Sequence, residues 1–114
     1  MKAKQLDAAF KALGDSTRRS IVTSLSKRPM SATDLAAPFE MSNAAISQHL
    51  KVLREAGLVE VRTSGTFRVY SLNIDLFEGV DAWIKAIESN WNESVDKLEG
   101  VMARIEKQRR LREK

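Results

Sequence analysis

No cysteine occurs in this chain of 114 residues, and histidine occurs once, at position 49. Without thiols there can be neither a disulfide framework nor a thiolate metal site. With a single imidazole, a zinc-class ion lacks the several N or S ligands it needs. No apolar run approaches the roughly 20 residues required to cross a bilayer. The amino terminus, MKAKQLDAAF, is broken by Asp7 and followed by Lys11, so it carries no signal-peptide core. A cytoplasmic protein is the expectation. Catalytic equipment is missing too: no nucleophile is spaced with a base, and no carboxylate pair is set apart from the acidic residues of 73–103, which lie on a polar helix face. The expectation is a protein that is not an enzyme and has no cofactor. Aromatic residues make up 6% of the chain, and the predicted hairpin has only Phe67 and Tyr70, whose alternation buries at least one. That leaves no stacking platform for RNA.

What is present is concentrated between Ser42 and Leu72. Ser42 suits a helix N-cap, because its hydroxyl can accept from the unpaired N–H groups of the first turn, and Gly57 suits the left-handed position that ends a helix. Between them, Ile46, Leu50 and Leu53 fall on one stripe, flanked by Ala45, His49 and Ala56. Asn43, Ala44, Ser47, Lys51 and Arg54 point the other way. Small and polar residues followed by basic ones suit a helix that enters a major groove: Asn43 and Gln48 can pair with adenine, and Lys51 and Arg54 can reach guanine or phosphate. Upstream, Ser31-Ala32-Thr33-Asp34 caps a short helix carrying Leu35, Ala36 and Phe39, and Glu40-Met41 gives a tight connection. Downstream, Val59, Val61 and Thr63 alternate with Glu60 and Arg62, and Phe67, Val69 and Ser71 alternate with Arg68 and Tyr70 across a Ser64-Gly65 turn. The predicted pattern is a helix-turn-helix followed by a two-stranded wing. A lone hairpin is marginal in water, so it must lean on the helices.

Certain residues carry a resemblance to a known family. Phe10-Lys11-Ala12-Leu13-Gly14-Asp15-Ser16-Thr17-Arg18-Arg19, Ser47-Gln48-His49-Leu50 with Leu53, Ala56-Gly57-Leu58-Val59, Gly65 and Tyr70-Ser71-Leu72 resemble the ArsR family of bacterial winged-helix repressors, from about Leu6 to Met102. The resemblance implies a homodimeric repressor, mainly α with a two-stranded β wing, in the order α-α-α-α-β-β-α. It makes the helix of residues 42–56 the recognition helix and 58–72 the wing, with the first and last helices forming the dimer interface. Proline is usual where this chain has Ser16, and both tolerate a first helical turn. Some family members bind metal through C-x-C-D-L at the first helix of the helix-turn-helix. Asp34-Leu35 matches that pattern, but Ser31 and Thr33 stand where the thiolates would be. Others use Asp and His on the last helix, where this chain has no His. The resemblance is therefore to the branch lacking metal-binding residues, and His49 reads as a structural hydrogen-bonding residue.

Charge is arranged in blocks. Residues 1–72 hold 11 Lys and Arg against 6 Asp and Glu, residues 73–103 hold 2 against 7, and residues 104–114 hold 6 against 2. The helix-turn-helix and wing are basic, and the next helix is acidic, a poor DNA surface. From Phe77 that helix repeats apolar residues at Val80, Ile84, Ile87, Trp91, Val95, Leu98, Met102 and Ile105, a stripe that wants a partner helix. A hydrophobic content of 43% supports one small domain that would gain from dimerisation. Leu6, Ala9, Phe10 and Leu13 would complete the seam.

We expect a winged helix-turn-helix domain over residues 1–103 with its dimerisation helix at about 74–103, and a basic tail over 104–114, a frayed helix or disordered. DNA contacts are expected from Ser42, Asn43, Ala44, Ser47, Gln48, Lys51 and Arg54 on the helix, and from Arg62, Ser64, Gly65, Thr66 and Arg68 on the wing. Leu6, Phe10, Val80, Trp83, Ile84, Ile87, Trp91, Val95, Leu98 and Met102 are expected at the interface. Four points have two readings. Trp83 and Trp91 pack the interface or line a small-molecule site at the seam; the tail is a solvated end or an auxiliary phosphate contact; Arg18 and Arg19 lock their helix or touch phosphate; and the winged helix serves DNA or docks another protein. The exposed polar and basic face favours DNA.

Overall fold

The computed structural model describes residues 1–113; Lys114, the last residue of the expected basic tail, lies outside the described residues. Its elements are α1 (Ala3–Leu13), α2 (Ser16–Leu25), β1 (Met30–Ser31), α3 (Ala32–Ala36), α4 (Asn43–Glu55), β2 (Val59–Ser64), β3 (Phe67–Leu72) and α5 (Ile74–Arg112). Two compact units divide at Val80 and Asp81. No helix among the described residues is long and apolar enough to cross a membrane.

The first unit is built around the apolar stripe of α4. Ile46, Leu50 and Leu53 are buried together with Ile21 and Leu25 of α2, Leu35 of α3, Leu58 and Val59, Tyr70 of β3, Val80 of α5, and Ala9 and Ala12 of α1. Each fully buried Leu or Ile contributes roughly 1.5–3 kcal/mol relative to an exposed one, so this cluster holds the winged helix together.

The helix ends are where the side chains predict. Ser42 Oγ accepts from the backbone N–H of Ala45 at 3.2 Å, and Ser31 Oγ from that of Asp34 at 3.2 Å. At the other end of α4, the N–H of Leu58 donates to the carbonyl of Leu53 and that of Gly57 to Arg54, both at 3.0 Å, the pairing of a Schellman stop. Gly57 has φ +82°, a conformation that L side chains rarely adopt.

The two-stranded wing is present as β2 and β3, and a strand beyond the sequence reading, β1, pairs with β3 to give the antiparallel order β1-β3-β2, with Met30 opposite Tyr70 and Ser31 opposite Val69. Two residues are too few to show an alternation, so no periodicity could reveal this strand. It secures the root of the hairpin that would be marginal alone. Next, α3 stops at Ala36 and does not include Phe39. Pro38 has no N–H to continue the ladder, and the connection to α4 spans 37–42, longer than the Glu40-Met41 link expected. Finally, α5 continues through the expected boundary at 103 to Arg112. Glu106 supports these last turns by pairing with Arg109 and Arg110 at 2.8 and 3.8 Å, three and four residues along the same face.

The second unit, from Asp81, is the remainder of α5. Nearly all of its side chains are exposed, including Trp83, Ile84, Ile87, Trp91, Leu98, Val101, Met102 and Ile105.

Candidate nucleic-acid interface

Burial of Ile46, Leu50 and Leu53 fixes which side of α4 meets the core, and helical geometry then fixes what faces out. Ser42, Asn43, Ala44, Ser47, Gln48, Lys51 and Arg54 are all exposed. The first two turns present small and polar groups, and the last two present Lys51 and Arg54.

The wing adds a second basic element. In β2 and β3, Arg62 lies opposite Val69, Thr63 opposite Arg68 and Ser64 opposite Phe67. Paired residues share a face of the hairpin and successive residues alternate, so Arg62 and Arg68 extend from opposite faces. Ser64, Gly65, Thr66 and Arg68 are exposed at the tip, and Gly65, at φ +62°, makes the turn. Phe67 was absent from the expected DNA contacts, yet it stands at this tip 71% exposed. Its partner in the sequence argument, Tyr70, is the buried one.

Position and orientation of α4 depend on a cluster where α1, α2 and α4 meet. Arg18 Nε donates to the carbonyl of Ala12 at 2.6 Å, and a terminal nitrogen donates to that of Lys11 at 3.3 Å. Both carbonyls lie in the last turn of α1, where a cation is favoured, and that of Lys11 also accepts from the Gly14 N–H at 3.3 Å. The other terminal nitrogen lies 3.5 Å from His49 Nδ1 on α4. Arg19 Nη1 donates to the Leu13 carbonyl at 2.8 Å, so both arginines hold main-chain carbonyls at the end of α1. Asp15 caps α2 by accepting from the N–H of Arg18 at 3.0 Å, and its carboxylate is 3.9 Å from His49 Nδ1. That backbone hydrogen bond, with lesser help from the charges of Arg18 and His49, holds the Asp15 carboxyl below the usual carboxylate range against the opposing effect of burial. A depressed folded-state value means the cap's contribution is present above the unfolded-state pKa and is lost only as pH falls through the folded one.

Arg18→Ala should therefore destabilise the fold by about 1–3 kcal/mol, because the part-buried Ala12 carbonyl loses its donor. Urea unfolding measures this. The salt dependence of DNA binding should stay the same; a shallower slope would give Arg18 a phosphate contact instead.

Asn73 is a second residue that sequence reasoning passed over. Its Nδ2 donates to the Gly57 carbonyl and its N–H to the Leu58 carbonyl, both at 2.9 Å. A polar residue between a strand and a helix was the available signal.

Other expected residues are placed as follows. Val80 is buried in the first unit, Leu6 is half-buried against the same core, and Phe10 is 41% exposed. Val95 is half-buried, and Trp83, Ile84, Ile87, Trp91, Leu98 and Met102 are exposed. Among the described residues, no group of three or more His, Cys, Asp or Glu is arranged to hold a metal ion.

Comparison with known proteins agrees with this geometry. Residues 15–61, from the cap of α2 into β2, match the model described as bacterial regulatory protein, arsR family. The transcriptional repressor SdpR of Bacillus subtilis is 35% identical over 79 residues, which cover 69% of this chain and 88% of that protein. This chain belongs to the ArsR family. The HTH-type transcriptional regulator Rv2034 of Mycobacterium tuberculosis is 49% identical to this ArsR-family chain over 67 residues, which cover 59% of the chain and 63% of that protein. A crystal structure of an ArsR family transcriptional regulator superposes with a TM-score of 0.74 at 29% identity, covering 81% of this chain and 95% of the other. The solution structure of a homodimeric winged helix-turn-helix DNA-binding domain, Mb0332 from Mycobacterium bovis, gives 0.62 at 25% identity, covering 75% and 80%. The ArsR-family chain is thus a winged-helix transcriptional regulator and not an enzyme.

Proposed function

We propose that this regulator is a homodimeric repressor that occupies a pseudo-palindromic operator, with two copies of α4 in successive major grooves about 34 Å apart. The carrying observation is the exposed face of α4, polar in its first turns and basic in its last, beside a wing that adds Arg62 and Arg68. Asn43, Ala44, Ser47 and Gln48 read bases; Lys51, Arg54, Arg62 and Arg68 hold phosphates. The interface is covered by a second copy, which buries the apolar stripe of α5 and, from the first unit, Phe10. Support for two copies comes from the exposure of that stripe and from the homodimeric state of the Mycobacterium bovis domain. Support for repression comes from the name of its relative SdpR, a transcriptional repressor. Occupying a promoter excludes polymerase and needs no chemistry. Ser31 and Thr33 support release by something other than a metal at the C-x-C-D-L position.

The deciding experiment selects bound fragments from genomic DNA and measures affinity for the recovered site against salt. We expect an inverted repeat, two chains per site, and a log K against log salt slope of about −4 to −7, for roughly four to eight neutralised phosphates. A selected site without two-fold symmetry, bound by one chain, would overturn the operator geometry. Equal affinity for selected and random DNA would overturn sequence-specific repression.

A further inference from the structure

The wing carries a side chain that the base and phosphate contacts above leave unused. Phe67 follows Gly65 and Thr66, a two-residue loop in which only Gly65 has a positive φ, +62°. Glycine at the first of two loop positions is the type II′ turn, a tight hairpin closure that holds the next strand residue in ordered backbone. Register then fixes which way the ring goes. Tyr70 and Val59 are buried on one face of the hairpin, while Phe67, Val69 and Arg62 share the other, turned away from the core. Opposite Phe67 stands Ser64, too small to cover a ring, and Phe67 is 71% exposed. From 61 to 70 the charged residues are Arg62 and Arg68, with no carboxylate among them. A lone exposed ring is ordinary on a protein surface. A bare ring at the point of a tight, wholly basic hairpin suits a polyanion that also offers apolar faces.

We propose that Phe67 is an apolar wedge that enters the minor groove beside α4 and selects operators by how easily one base step opens, a role that rests on the DNA-binding reading above. With α4 in a major groove, what a neighbouring hairpin meets is the phosphate backbone and the adjoining minor groove. That groove is about 6 Å wide, so a two-stranded ribbon cannot lie in it, but one side chain at the tip can enter. An apolar side chain that does so packs on the groove and partly unstacks a step, at a cost set by the deformability of that step. Pyrimidine–purine steps such as TA yield readily, and A-tracts resist. Phe67 thus supplies a sequence preference without a hydrogen bond to any base, while Arg62 and Arg68 hold the phosphates. Its backbone is already ordered by the strand, so little freedom is lost on insertion. A protein partner is the poorer fit, because interface cores are depleted of charge and here two arginines adjoin the ring.

The full chain and its selected operator test the wedge. Since the chain supplies no competing thiol, Thr66→Cys carrying an iron chelate cuts the DNA beside the tip and locates the step. Operators are then built with TA or an A-tract at that step, and affinities are followed by fluorescence anisotropy over a salt series. The parent should favour the TA operator about five- to tenfold. Phe67→Ala should erase that preference by weakening the TA complex, with an unchanged salt slope because no phosphate contact is lost. Phe67→Leu, which keeps an apolar tip, should retain most of it. 2-Aminopurine replacing the adenine of the step should brighten when the parent binds and stay dim with Phe67→Ala. The wedge is overturned if the chelate cuts at no preferred step, or if Phe67→Ala binds both operators as the parent does, loses equally on both, or flattens the salt slope. A parent that binds selected and random DNA alike removes the sequence-specific reading, and the wedge with it, which is a distinct failure.

Discussion

Trp91→Asp is expected to convert a two-chain protein into a folded single chain at micromolar concentration. Trp91 is 69% exposed, midway along a stripe that also exposes Ile84, Ile87, Leu98 and Met102. An indole at the centre of an interface commonly accounts for 2 kcal/mol or more when truncated, and two-fold symmetry counts the site twice. The expected loss is about 4 kcal/mol or greater, roughly a thousandfold in the dimer dissociation constant. The carboxylate adds the cost of desolvating a charge. Trp91 lies outside the unit that holds the core cluster, so circular dichroism and urea unfolding of the helix-turn-helix should change little. Operator binding at nanomolar protein should collapse, because one reading helix engages only half a site. A variant that sediments as two chains, or a single chain with parental operator affinity, would refute the assignment of this stripe.

Gln48→Ala should discriminate between DNAs where Arg62→Ala does not. Gln48 lies exposed on the second turn of α4, between Ser47 and the buried Leu50, and its amide can bond an adenine edge bidentately. Losing such a contact costs about 1–3 kcal/mol at each half-site on the operator and little on random DNA. Arg62→Ala removes a charge from the wing, so both DNAs should bind more weakly and the salt slope should flatten by about 0.9 for each phosphate lost. Fluorescence anisotropy with operator and scrambled duplexes over a salt series separates the two patterns. Equal losses on both DNAs for Gln48→Ala would remove it from base reading.

The legible parts of this fold are those whose physics is local. Ser31, Ser42 and Gly57 announce helix ends because capping and a positive φ depend on one residue and its immediate neighbours. The stripe of Ile46, Leu50 and Leu53 determines its own outward face. What escaped depends on distant or very short partners. β1 exists because Met30 and Ser31 find Tyr70 and Val69 some forty positions away, and two residues have no period. The end of α5 read as a solvated charge run, since nothing in composition distinguishes that from a helix held by Glu106. In the candidate site, the exposure of Asn43, Ala44, Ser47, Lys51 and Arg54 on α4 was legible from spacing alone. The contacts of Arg18, Arg19 and Asn73 with main-chain carbonyls were not, because any donor of sufficient reach could have filled those places. Phe67 was overlooked for a related reason: alternation says that it and Tyr70 lie on opposite faces, but not which face the body of the protein covers.

The joint at Asn73 has a mechanical consequence. A single residue separates β3 from α5, and it is bonded on one side to the stop of α4 and on the other to the first turn of α5, whose Leu76 N–H donates to its carbonyl at 3.2 Å. The end of α4, the wing root and the start of α5 are thus keyed to one another through one side chain and its main chain. A displacement of the first turn of α5 would bear directly on the carbonyls that close α4, where a slack linker would absorb it. Asn73→Gly would put play into that joint while leaving every exposed side chain of α4 in place.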